Sequence, residues 1–63
     1  MSELMKKLEE LVDEKGLDAI VGTLSELCLE KASHVRENWQ DELLAKTWEA
    51  QAKVLDKALA KIG

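Results

Sequence analysis

Proline, tyrosine and phenylalanine are absent from this chain, and glycine occurs only at positions 16, 22 and 63. Without them there is no proline-rich or glycine-rich linker, and few residues are left that punctuate a chain into turns. Cys28 is the only cysteine, which excludes an intrachain disulfide. One cysteine and one histidine also fall short of the four ligands that a structural zinc ion takes. No more than three apolar residues follow one another, whereas a membrane-spanning helix needs about 20. The opening MSELMKK lacks the uninterrupted apolar stretch of a signal peptide. A lone thiol without an export signal suits a reducing compartment, so a cytoplasmic location is the expectation.

What remains is rich in Leu, Ala, Glu and Lys, with 46% hydrophobic and 35% charged residues. This is the composition of an all-α protein. Its 63 residues allow one domain, spanning positions 1–63. A chain so short buries only roughly 60% of the surface that its unfolded form exposes. With disulfides and structural metal excluded, association with other copies is the remaining way to complete a core. The net charge of −4 arises wholly from residues 1–32, where eight acids face four bases; residues 33–63 hold five of each. An acidic chain is a poor partner for nucleic acid, whose phosphates are bound through Lys and Arg that release counterions. No nucleic-acid or membrane partner is expected. Lysines interspersed among the acids also argue against mimicry of DNA.

Apolar spacing predicts three helices, at about 3–15, 18–37 and 40–62. In the first, Leu4, Leu8, Leu11 and Val12 form a stripe with Met5 beside it; Ser2 can cap the start and Gly16 the end. In the second, Asp18 is the better cap. Ile20, Val21, Leu24, Leu27, Cys28, Ala32 and Val35 make a wide apolar face, interrupted by Gly22. That glycine either lets another helix approach closely or sits neutrally on an exposed turn. In the third, Leu44, Trp48, Ala52, Leu55, Leu59 and Ile62 form one stripe, and Leu43, Thr47, Ala50 and Val54 a second beside it. Two adjacent stripes exceed what a three-helix monomer covers. The expected fold is therefore a small three-helix unit that completes its core by homo-oligomerisation, with the second stripe near the subunit contact.

No Gly or Pro occurs from Thr23 to Ile62, which permits one long helix through that span. Against it, residues 36–42 are polar except for Trp39. Asn38 is placed to cap a new helix, with Asp41 three residues on approximating a capping box. A break near Asn38 is the expectation.

The stretch SHVRENWQDE, residues 33–42, gathers the candidate ligand-binding residues His34, Arg36, Asn38, Trp39 and Gln40. Arg36 and His34 can donate to an anion, Trp39 offers a flat ring, and the two amides can read the edge of a base. The plainer reading makes Trp39 the plug of a helix–helix corner and pairs Arg36 with surface acids, since aromatics mostly supply packing area. Glu30, His34 and Glu37 fall on one helical face, but their spacing is not the Glu-x-x-His of di-iron bundles. A solvated face, with Glu30 supporting His34, accounts for them, and neither metal nor cofactor is expected. Cys28 and His34 are about 240° apart around a helix and cannot pair as nucleophile and base. There is no glycine-rich phosphate loop either. The chain is thus expected to be no enzyme. It reads as a helical homo-oligomer acting by protein–protein binding, and its size suits an inhibitor or accessory protein of a mobile element or phage. The alternative is an oligomer that sequesters a small anion such as a signalling nucleotide between subunits, through Arg36, His34 and Trp39.

Overall fold

The computed structural model describes residues 2–62, and these fold into three helices: α1 (Glu3–Lys15), α2 (Leu17–Asn38) and α3 (Glu42–Ile62). Among the described residues there is no strand. Helix α1 begins where Ser2 accepts the Met5 backbone N–H on its hydroxyl oxygen at 3.0 Å. It ends at Gly16, whose N–H donates to the Val12 carbonyl at 2.8 Å. Gly16 has φ 93° and ψ 150°, a conformation open almost only to glycine. A Cβ there would also stand 2.9 Å from Asp18 Oδ1.

Asp18, expected as the cap of α2, does not cap it. The helix starts one residue earlier, at Leu17, and its N-cap is Gly16, which has no side chain to offer. Asp18 lies instead in the first turn, where its charge favours the helix dipole.

A break does separate α2 from α3, but Asn38 is not the residue that starts the new helix. Its amide donates back to the His34 carbonyl at 3.0 Å, and α2 closes with the Trp39 N–H on the Val35 carbonyl at 3.0 Å. Gln40 takes a left-handed φ of 52°, uncommon for a residue with a side chain, and this reverses the chain. Asp41 then accepts the Leu44 N–H at 3.0 Å, so α3 begins at Glu42 and not at Gln40.

The two long helices form a hairpin and pack along each other; α1 meets α2 at few residues and does not reach α3. The hairpin seam is built of small side chains. On α2, Ser25, Cys28, Ala32 and Val35 are buried, a three-four-three spacing; on α3, Ala45 and Ala52 are buried. Trp48, between them in sequence, is half-buried and packs against the cluster of Ala32, Val35 and Ala45. Leu44, expected on the core stripe, is exposed, and Ala45 takes its place. Leu24 and Leu27 of α2 likewise stay partly in solvent, outside the buried seam. Small residues at the contact let the two backbones approach closely, and that shifts the buried face away from the bulkiest side chains.

Among the described residues one polar side chain, that of Ser25, is enclosed. The Ser25 hydroxyl donates to Oδ1 of Asp56 at 2.6 Å, with the Ala52 carbonyl at 3.3 Å. A bond to a carboxylate is short and strong, so it fixes the register of α2 against α3.

Candidate functional site

Two surfaces invite functional reading: the stretch at the hairpin corner and the apolar side chains left in solvent. At the corner, Arg36 is half-buried and turns toward α3. Its Nε donates to the Glu42 carboxylate, while its two terminal nitrogens face Glu49, at 3.0 Å (Nη2 to Oε1) and 3.5 Å. The hydrogen bond to Glu42, followed by that to Glu49, raises the Arg36 pKa further above its already high value. In return, the Arg36 hydrogen bond holds the Glu42 carboxyl below the usual carboxylate range. The pairing of Arg36 with surface acids is therefore what the structure contains, a clasp between the end of α2 and the start of α3.

The five candidate ligand residues are not brought into one cleft. His34 and Asn38 meet, with the Asn38 amide nitrogen 3.1 Å from Nδ1 of His34. Arg36, two residues on from His34, points about 200° away around the helix. Gln40 is exposed. Trp39 is 74% exposed and plugs nothing, so the reading of it as the corner's hydrophobic plug is corrected. The corner is closed by Val35, Ala45 and Trp48 instead. An open depression of about 410 Å³ on α2 is lined by Leu27, Glu30, Lys31 and His34; of the five candidates it takes in only His34. Among the described residues, no three His, Cys, Asp or Glu side chains are grouped to hold a metal ion. No described helix is long and apolar enough to cross a membrane.

The apolar surface is the larger feature. Helix α1 contains no buried residue, and Leu4, Met5, Leu8 and Leu11 all stand in solvent. On α3, Leu43 is 79% and Val54 66% exposed. Thr47 and Ala50, which share that face, are exposed too, with the Thr47 hydroxyl bonded to the Leu43 carbonyl at 3.0 Å. The four residues expected near a subunit contact thus lie together on an open face.

Two tertiary contacts do not follow from spacing, although the pairing of Arg36 with some surface acid does. The Ser25–Asp56 and Arg36–Glu49 contacts join residues 31 and 13 positions apart, and only the hairpin turn brings them together. A polar residue amid an apolar face, as Ser25 is, was the one available signal. The chain matches no protein-family model, no curated protein and no solved structure.

Proposed function

We propose that this protein is a non-enzymatic helical interaction module that works as a homo-oligomer and through that assembly binds a protein partner. The observation that carries the reading is the area left uncovered. The folded chain exposes 5144 Å², whereas a compact monomer of 7.1 kDa exposes about 4,100 Å². The excess of about 1,000 Å² is close to the roughly 800 Å² that each partner contributes to a standard protein interface. It is also of the right chemistry, since thirteen large apolar side chains are exposed while the buried core is mostly alanine-sized. Contiguous apolar patches of this kind mark interaction surfaces.

The face of Leu43, Thr47, Ala50 and Val54 on α3 and the stripe on α1 are the two contact surfaces on which the reading rests. The alternative, an anion held between subunits by Arg36, His34 and Trp39, has less support, because the Arg36 guanidinium already meets two carboxylates. Sedimentation equilibrium tests the proposal directly. The expected result is an oligomer at micromolar concentration; a single species of 7.1 kDa throughout would overturn it.

A further inference from the structure

We infer that α1 is the self-association element, and that two copies pair through it antiparallel about a two-fold axis. The inference rests on the homo-oligomer reading above and adds the surface, the direction and the register. A helix of 13 residues that buries none of them does not stand by itself, since isolated helices below about 12–15 residues are marginal in water. Its own chain offers little cover, because α1 meets α2 at few residues and α3 at none. Only Val12 of its apolar residues is half-buried, beside the half-buried Gly16 and Ile20 at the elbow.

The pattern on α1 specifies what covers it. Leu4, Leu8 and Leu11 follow at intervals of four and three, the apolar spacing of a two-stranded coiled coil seam, and Lys15, four residues on, ends it as a charged position opposite Leu4 of the other copy in the antiparallel register. Met5 and Val12 flank that seam on the elbow side; Lys7 and Glu14, seven residues apart, flank it on the open side. In an antiparallel pair Leu8 of one copy packs on Leu11 of the other, and the symmetry repeats the contact. The same register sets Lys7 of each copy against Glu14 of the other, giving two opposite-charge pairs. A parallel pair would leave Lys7 and Glu14 without these partners.

Both charges are free to do this. Lys7 makes no ion pair among the described residues, and Glu14 pairs only with its exposed neighbour Lys15, at 3.6 Å. Glu14 also lies next to the C-terminal end of α1, where the helix dipole disfavours an acid. An antiparallel copy brings its own N-terminal half alongside and relieves that. A second copy of this chain thus suits the surface in shape and in charge.

Charge exchange tests the register. Sedimentation equilibrium is measured for the unmodified chain, for K7E, for E14K, for an equimolar mixture of the two, and for the double variant K7E/E14K. Each single variant sets like charges opposite each other twice, and should associate about tenfold more weakly, given modest energies for exposed pairs. The mixture and the double variant restore opposite charges, and should associate within about threefold of the unmodified chain. Because α1 lies outside the α2–α3 core, circular dichroism should show the hairpin helical in every variant. Singles that associate as tightly as the unmodified chain, or a mixture no tighter than its components, would overturn the antiparallel α1 pair while leaving the homo-oligomer standing. A monomeric unmodified chain would overturn both.

Discussion

Gly22 and Ser25 stand one turn apart on α2 and both face α3, yet they tolerate change differently. A Cβ added at Gly22 would lie 3.6 Å from Leu59 Cδ2, an ordinary van der Waals contact. Close helix approach therefore does not demand glycine here, and neither reading of this position holds whole: Gly22 is half-buried against α3 and not on an exposed turn, yet a methyl group fits there. Gly22→Ala removes the backbone freedom that glycine carries into the unfolded state, and should stabilise the protein by up to about 1 kcal/mol. Urea titration at fixed protein concentration measures it; a loss of stability would mean that the helices sit closer than this contact implies. Ser25 is the opposite case. It is 4% exposed and its hydroxyl is bonded to Asp56, so Ser25→Ala discards a charge-assisted bond that nothing in the seam replaces. The expected loss is about 1–2 kcal/mol in the same titration. A neutral result would show that water takes over at the Asp56 carboxylate without cost.

Among the elements, the three helices were legible because their ends carry chemistry that spacing alone reveals: Ser2, Gly16 and the polar run before α3. Which face of each helix is buried was only partly legible. Periodicity marks large apolar residues, so it selected Leu44, Leu24 and Leu27; the seam selects small ones, so Ala45 and Ser25 lie inside. The corner shows the same limit. Asn38 and Asp41 are both sound capping residues, and only the left-handed turn at Gln40 decides that Asp41 caps α3. The corner clasp has a consequence for acid stability. Glu42 is held below its ordinary pKa by Arg36, so its contribution is fully present above the unfolded value, about 4.3, and is lost as pH falls through the lower folded value. Arg36 is shifted upward; its contribution is lost only at alkaline pH beyond the ordinary arginine range. Thermal melts should therefore lose stability as pH falls below about 4.3, and Glu42→Gln should flatten that acid limb while lowering the melting temperature at pH 7. An unchanged acid limb in Glu42→Gln would remove the clasp from the account.

At the scale of the whole molecule, the chain is too extended for its length. Its radius of gyration is 13.5 Å, where a compact domain of 63 residues has about 11 Å, and the difference reflects α1 standing away from the hairpin. Trp48 and a few alanines give the hairpin a thin core, and thin cores yield only a few kcal/mol. Under the proposed self-association, stability would depend on how many copies are present, because association stabilises a folded state by mass action. A hundredfold rise in protein concentration should raise the melting temperature by on the order of 5–10 °C, as read by differential scanning calorimetry at matched scan rates. Leu8→Glu, which sets a charge in the middle of the α1 stripe, should flatten that dependence by blocking association. Val54→Glu, on the separate face of α3, discriminates between the surfaces. If it flattens the dependence and Leu8→Glu does not, the subunit contact lies on α3, and α1 is left as the surface that meets a different protein. If only Leu8→Glu flattens it, the open face of Leu43, Thr47, Ala50 and Val54 is what the assembly presents to its partner. A melting temperature independent of concentration in the unmodified chain would mean that the monomer tolerates its uncovered surface, and the area argument for assembly would fail with it.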